Sequence, residues 1–124
     1  MGRGLSMDEL ERCRQWIENA LEYGGGTHTF EDVKCGIIEG KSQLWPAANS
    51  CIVTEITKHP QKKVLHIFLG GGDLEEIKSM QPDVIAWAKS QDCESLTMTG
   101  RKGWSKALAD IGWKSQLVLL EKRF

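Results

Sequence analysis

The sequence predicts an α/β fold in which helices flank a mixed β-sheet. Two segments of helical periodicity open the chain, three β-rich segments follow at short intervals, and a strand–helix–strand step comes next. The element order is therefore ααβββαβαβ, and the strand–helix–strand step favours a right-handed parallel crossover. No linker or internal repeat divides the 124 residues, so a single domain over 1–124 is expected.

Two helices are predicted before the first strand. Ser6 begins a capping-box pattern, and apolar residues recur at helical spacing over residues 7–22 until a glycine run at residues 24–26. Thr29 can cap a second, shorter helix, and Gly40 provides its exit. Both segments are amphipathic, so we expect them to pack one face against the sheet.

Three strands should form an antiparallel meander. Gln43–Trp45 is a short strand ended by Pro46, and Cys51–Ile56 is rich in β-branched residues. Val64–Leu69 is an almost unbroken apolar run, as expected of a strand that is covered on both faces. A polar turn at His59–Lys62 joins the second strand to the third.

The next helix and strand complete the crossover. A glycine run at residues 70–72 is expected to break the third strand, and Asp73 is a suitable N-cap for the helix that follows. Pro82 should kink or restart that helix, because a proline removes one hydrogen bond from a helix interior. Leu96–Met98 is a short strand that should lie parallel to the third strand.

A last helix and a last strand close the element order. The helix is expected over Gly100–Ile111, with Trp104, Leu108 and Ile111 facing inward and the Trp104 indole largely buried. Gly112 then provides the turn into a strand over Gln116–Leu120.

Composition excludes several classes of protein. The 16 Lys and Arg residues balance 17 Asp and Glu residues at a net charge of −1, which argues against a dedicated nucleic-acid module. No apolar run reaches the roughly 18–20 residues that cross a bilayer, and the first residues do not form a signal peptide, so no membrane association is expected. The four cysteines lack C-x-x-C spacing, so we expect reduced, mostly buried thiols and no metal site.

The element order and three local patterns resemble the GNAT superfamily of N-acetyltransferases, with the family's first strand missing. The patterns are Gln43–Trp45, the strand-to-helix step at Phe68–Gly72, and Gly100–Trp104 with Ile111–Trp113. The chain is also similar to small GNAT-like proteins of tailed bacteriophages, which carry G-R-x-G-W before a final helix and a Q-L-W strand after two opening helices.

The resemblance places the pyrophosphate of acetyl-CoA on backbone N–H groups at the start of the helix after the third strand. A helix N-terminus suits an anion because its first amides are unsatisfied and its dipole is positive there. Three acidic residues, Asp73, Glu75 and Glu76, crowd this turn, and the family's leading Gln or Arg is absent. The candidate cofactor-binding residues are Leu69, Gly70, Gly71 and Gly72.

The resemblance also requires a general base and, in many members, a tyrosine acid on the last helix. Glu55 is the candidate base, with a solvated carboxylate at a strand end as the alternative interpretation. His66 lies in an apolar strand, where a hydrogen-bonded core histidine is expected. The last helix has no tyrosine, since Tyr23 is the only one in the chain. The acid role therefore has no candidate in the sequence.

Two functions follow from the resemblance. The first is a GNAT-like scaffold with a degraded acetyl-CoA site, acting as a phage virion or interaction protein in the virion or the host cytoplasm. The second is an active acetyl-CoA-dependent N-acetyltransferase for a small or protein amine. The scaffold function requires a protein partner, which some of the five tryptophans could contact, and it requires no cofactor. The enzyme function requires acetyl-CoA.

Overall fold

The structure, a computed structural model, describes residues 7–100 and 102–124, so the predicted cap Ser6 and the motif residue Arg101 lie outside the described residues. The elements follow the predicted order through the last helix. They are α1 Met7–Arg12, α2 Arg14–Tyr23, α3 Phe30–Ile38, β1 Ser42–Pro46, β2 Ser50–Lys58, β3 Lys63–Gly72, α4 Leu74–Ser79, α5 Gln81–Ser90, β4 Ser95–Met98, α6 Lys102–Ala107 and a 3₁₀ helix Ala109–Ile111.

The four strands form one mixed sheet in the order β1-β2-β3-β4. β1 pairs antiparallel with β2, and β2 pairs antiparallel with β3. β3 pairs parallel with β4, from Val64 opposite Ser95 to Ile67 opposite Met98. The predicted meander and the predicted parallel crossover are therefore confirmed.

Helices cover both faces of the sheet, which confirms the predicted fold class. The first cluster is the apolar core beneath α1, α2 and α3, and the second cluster is the core beneath α4, α5 and α6. Sheet residues of the first cluster are Leu44, Cys51, Val53 and Leu69. Sheet residues of the second cluster are Trp45, Ile52, Leu65 and Ile67.

The opening helices differ from prediction by one break. The segment predicted as a single helix is divided at Cys13, whose N–H still donates to the carbonyls of Glu9 and Leu10 at 3.1 Å. Thr29 caps α3 as predicted: its Oγ1 accepts from the N–H of Asp32 at 3.2 Å, and Asp32 accepts from the N–H of Thr29 at 2.9 Å. Such a reciprocal cap stabilises a helix by about 1 kcal/mol.

β3 is longer than predicted, and the expected break at its glycines is wrong. Gly70, Gly71 and Gly72 continue the strand and pair with the first residues of β2. Glycine is a weak strand former in isolation, but here the backbone hydrogen bonds to β2 and the close packing on both sides hold it extended. The helix that follows begins at Leu74, and its interruption at Met80, with Pro82 in the first turn of α5, confirms the predicted restart.

The last helix is shorter than predicted. Leu108 is buried as expected, but Trp104 is only half-buried where it packs on the second cluster. Ile111 is 41% exposed, so its inward placement is wrong. α6 ends at Ala107 and a 3₁₀ turn follows, which changes the rotation per residue and moves Ile111 away from the buried side.

The final predicted strand is absent from the described part of the chain. Residues 113–124 form neither helix nor strand, and the apolar run within Gln116–Leu120 is exposed. The pattern of the sequence is typical of a strand, but in this structure the segment pairs with none of the four described strands, so it forms no ladder of hydrogen bonds.

All five tryptophans contact the two clusters. Trp45 is buried, and its indole packs edge-on against Trp87 with ring centroids 5.9 Å apart. Trp16 packs on the first cluster, and the half-buried Trp87, Trp104 and Trp113 pack on the second. Each tryptophan therefore contributes at least part of its side chain to the apolar core.

Candidate functional site

The last residues of β3, Gly70–Gly72, are called the glycine end below. They lie beyond the point where β3 and its parallel partner β4 separate. β4 ends at Met98, opposite Ile67, while β3 continues to Gly72. Beyond Ile67, β3 therefore has a strand partner among the described residues only on its β2 side.

A β-bulge lies at the point of parting. Val53 of β2 pairs with Leu69 and the adjacent Thr54 pairs with Ile67, so Phe68 is an extra residue in β3. As a result, Phe68 and Leu69 both pack on the first cluster, although they are neighbours in a strand. A bulge of this kind increases the local twist and redirects the residues beyond it.

Close packing or backbone conformation restricts two of the three glycines at this end. A Cβ atom at Gly70 would lie 3.5 Å from Cη2 of Trp104, and one at Gly71 would lie 3.0 Å from the carbonyl oxygen of Trp16. Gly72 has a φ of +101°, and a Cβ there would overlap the carbonyl oxygen of Asn49. Gly71 and Gly72 therefore have a structural explanation, whereas a Cβ at Gly70 would make only ordinary van der Waals contacts.

A cleft of about 380 Å³ lies between α2 and these glycines. Its lining residues are Trp16, Asn19, Ala20, Glu22, Tyr23, Gly70, Gly71 and Gly72. Tyr23, which was distant from every predicted site residue in sequence, is thus brought to the glycine end of β3. Sequence reasoning missed this placement because it depends on how α2 crosses the sheet.

The N-terminus of α4 is capped by the carboxylate of Asp73, as predicted. Asp73 Oδ1 accepts from the N–H of Glu75 at 2.9 Å and from the N–H of Glu76 at 3.4 Å. These are the free amides that an anion bound at this turn would use. The protein therefore presents its own negative group where a diphosphate would lie.

Glu76 has a structural role beside the same turn. Its carboxylate accepts from Ser50 Oγ at 2.6 Å and from the N–H of Asn49 at 2.9 Å, and these bonds hold its pKa below the usual value. Arg12 also holds the β1–β2 connection by donating to the carbonyls of Ala47 and Ala48, and its positive charge contributes to the lowered pKa of Glu76. The charge of Glu76 is therefore retained close to Gly72.

Glu55, the candidate base, lies directly opposite His66 in the β2–β3 pairing. The two ring nitrogens of His66 contact hydroxyls, Nδ1 with Thr97 Oγ1 at 2.8 Å and Nε2 with Thr99 Oγ1 at 3.3 Å. Burial lowers the pKa of His66, and the charge of Glu55 partly opposes that shift. His66 is half-buried and hydrogen-bonded, so the interpretation as a satisfied histidine agrees with its contacts.

The pairing of Glu55 with His66 was not predicted, although the sequence contains its signal. A four-residue turn at His59–Lys62 sets a register in which Lys58 faces Lys63 and, three residues further, Glu55 faces His66. His66 lies four residues before Gly70, about 13 Å along the strand. The candidate base and the glycine end are therefore two separate places on β3.

The cysteines give no evidence of nucleophilic chemistry. Cys13, Cys51 and Cys93 are buried and reduced, as expected, while Cys35 is exposed. The Cys13 thiol and burial raise the pKa of Cys51 far above its ordinary value, so that thiol stays protonated. The described residues contain no group of side chains suited to a metal ion and no helix able to cross a membrane.

The mixed four-stranded sheet with helices on both faces matches GNAT-like acetyltransferase folds. No family model and no curated protein matches the sequence, so solved structures give the comparison. An acetyltransferase from Trypanosoma brucei has a TM-score of 0.61 at 9% identity, with 92% of this chain and 94% of that chain covered.

Two further structures extend the comparison. A protein described as a possible acetyltransferase from Clostridium difficile 630 has a TM-score of 0.63 at 12% identity, with 97% of this chain and 93% of that one covered. A transcriptional regulator from Bacillus halodurans C-125 has a TM-score of 0.68 at 13% identity, with 98% and 97% covered. At these identities the likeness establishes the fold alone.

Proposed function

We propose that this GNAT-like domain acts as a binding or structural protein rather than as an acetyl-CoA-dependent enzyme. The main supporting observation is the capped N-terminus of α4, where Asp73 accepts from the amides of Glu75 and Glu76. A diphosphate would compete with this carboxylate for the same amides and would also meet the charge of Glu76. The residues at this turn therefore do not fit the pyrophosphate of CoA.

The composition of α6 supports the same proposal. Trp104 lies where the family resemblance places an acid-bearing helix, and it packs against the backbone at Gly70. The indole N–H of tryptophan can donate a hydrogen bond, but it does not ionise near neutral pH. It therefore cannot act as the acid that protonates a leaving thiolate. The partner we propose is a protein, and the setting in a tailed-phage virion or host cytoplasm rests on the sequence resemblance.

Calorimetric titration with acetyl-CoA near neutral pH tests the proposal. We expect no saturable binding in the low micromolar range. Asp73→Ser combined with Glu76→Gln should bind acetyl-CoA more tightly than the parent, because serine still caps α4 but both charges are gone. Asp83→Asn, which removes an exposed carboxylate from the first turn of α5, is the matched control and should change nothing.

The opposite result is equally specific. A low micromolar dissociation constant for the parent, lost in Gly71→Leu, would show that the backbone at the glycine end binds the cofactor despite the carboxylates. Circular dichroism must show that Gly71→Leu is folded, because its side chain meets Trp16.

The second candidate is an N-acetyltransferase, and the register pair Glu55–His66 beside the bulge favours it. In that function Glu55 accepts the proton of an incoming amine, while the backbone of Leu69–Gly72 contacts the acetyl donor. Release of free thiol from acetyl-CoA in the presence of amine acceptors measures the activity. Turnover that is abolished in Glu55→Gln and retained in Glu39→Gln, an exposed carboxylate after α3, would establish this candidate over the first.

A further inference from the structure

Four consecutive apolar residues leave the domain without cover. Leu117, Val118, Leu119 and Leu120 are 92%, 82%, 89% and 85% exposed. In an extended chain, alternate side chains point to opposite sides, so a segment lying on its own domain would bury one of the two alternating sets. Here both sets are exposed, so the Gln116–Leu120 segment, called the apolar segment below, packs neither side on its own domain.

The same molecule has a free strand edge of matching length. β4 is the outermost strand, and in the described part of the chain it pairs only with β3. Its four residues, Ser95–Met98, equal the apolar run in length, and Leu96 and Met98 are half-buried on the second cluster. An open edge with apolar neighbours is a site where a further strand can add.

We propose that the apolar segment of one copy pairs with the β4 edge of a second copy, and reciprocally, to form a closed dimer. A second copy fits because each chain has both halves of the interaction, and a two-fold exchange satisfies both edges without further growth. The start of the segment is held in place: the N–H of Trp113 donates to the carbonyl of Leu108 at 3.3 Å, and the Trp113 side chain packs on the second cluster. Only Lys114 and Ser115 separate this anchor from the apolar segment.

For antiparallel pairing between the two copies, charge favours one register. With Leu120 opposite Leu96 and Val118 opposite Met98, apolar side chains meet on the face of the second cluster. The same register places Lys122 of one copy opposite Glu94 of the other. A shift of one residue in this pairing would bring Glu121 opposite Glu94, and like charges directly opposite are unfavourable.

Sedimentation equilibrium over a range of micromolar concentrations tests the dimer. We expect the parent to dimerise, and Val118→Lys combined with Leu120→Lys to be monomeric with an unchanged circular dichroism spectrum. Lys114→Glu is the matched control, because it changes a charge outside the proposed pairing. A parent that stays monomeric at every concentration, or a lysine variant that dimerises like the parent, would overturn the proposal.

Charge reversal distinguishes pairing between copies from pairing within one copy. Glu94→Lys and Lys122→Glu should each weaken dimerisation by about tenfold, since each alone creates like-charge contacts at both exchanged strands. An equimolar mixture of the two variants should recover the parent affinity, because in the mixed dimer both contacts join opposite charges. Failure of the mixture to recover, with each single variant weakened, would show that the segment is not exchanged between copies in this register.

A cysteine cross-link gives an independent result. In a chain with Cys35→Ser, which removes the exposed native thiol, Leu96→Cys and Leu120→Cys are introduced together. Oxidation should give covalent dimers on a non-reducing gel. A cross-linked monomer instead would mean that the apolar segment folds back on its own β4, and the proposal would be wrong.

Discussion

At the scale of single residues, two carboxylates determine the charge and the hydrogen bonding beside the glycine end. Asp73 occupies the amides of the first turn of α4, and Glu76 holds Ser50 and Asn49 in the β1–β2 connection. Each therefore has a role in folding that does not depend on a ligand. The sequence indicated their crowding, and the structure assigns a separate partner to each.

His66 should make the stability of the protein depend on pH. Its folded pKa is lowered, so between that value and the unfolded value of about 6.5 the unfolded chain binds more protons. The contribution of His66 to stability is therefore complete above about pH 6.5 and is lost as the pH falls through the folded pKa. The measurement is the melting temperature at about pH 7.5 and 5.5.

The decrease on acidification should be smaller in His66→Gln than in the parent. His59→Gln, which changes an exposed histidine in the β2–β3 turn, should retain the decrease of the parent. Equal decreases in all three proteins would contradict the assignment to His66.

At the scale of elements, β3 is the strand that positions the candidate site. The bulge at Phe68, the glycine end and the residues that pair with the parallel strand β4 all lie within the ten residues of β3. The environment of each β3 residue depends on the residue packed against it: His66 lies opposite Glu55, and Gly72 lies against Asn49. Replacing a glycine in this strand should therefore affect stability differently from replacing a glycine in an exposed helix.

Two glycine substitutions should show this difference as opposite changes in stability. Gly72→Ala should destabilise by at least about 1–3 kcal/mol, because φ is +101° and the new Cβ overlaps Asn49. Gly103→Ala should stabilise by about 0.5–1 kcal/mol, because Gly103 lies in α6 and no atom of the described residues, apart from its chain neighbours and its own helix backbone, lies within 4 Å of its Cβ position. Urea unfolding measures both, and a stabilising Gly72→Ala would mean that β3 does not reach Gly72 as described.

At the scale of the whole molecule, one sheet is shared by two apolar clusters. β2 contributes Cys51 and Val53 to the first cluster and Ile52, between them, to the second. Because the same strands contribute residues to both clusters, unfolding of either cluster would expose the other. This arrangement supports the expectation of a single domain.

Unfolding should therefore be one cooperative transition whichever cluster is weakened. Leu10→Ala in the first cluster and Ile77→Ala in the second should each cost about 2–5 kcal/mol, since both side chains are fully buried. Circular dichroism and tryptophan fluorescence should give coincident melting curves in both variants. Ile38→Ala, at an exposed site on α3, should melt close to the parent. Two separated transitions in either variant would contradict a single domain.

Local patterns in the sequence were sufficient for most elements. Helical periodicity and the Thr29 cap predicted the opening helices, β-branched runs predicted the meander, and Asp73 and Pro82 were placed correctly at helix starts. Each of these features depends on residues within a few positions of one another. Side-chain caps, backbone preferences and hydrophobic periodicity act over that range, so the sequence alone determines them.

Tertiary structure decided the features that depend on pairing between distant segments. The continuation of β3 through Gly72, the meeting of Glu55 with His66 and the approach of Tyr23 to the glycines all require strands and helices to come together first. The same cause explains the two wrong predictions near Ile111 and Gln116–Leu120, whose patterns suited a buried helix face and a strand. The sequence encodes the capacity of these residues for burial and pairing, but the shape of the last helix and the pairing of the segment with a strand edge determine whether that capacity is used.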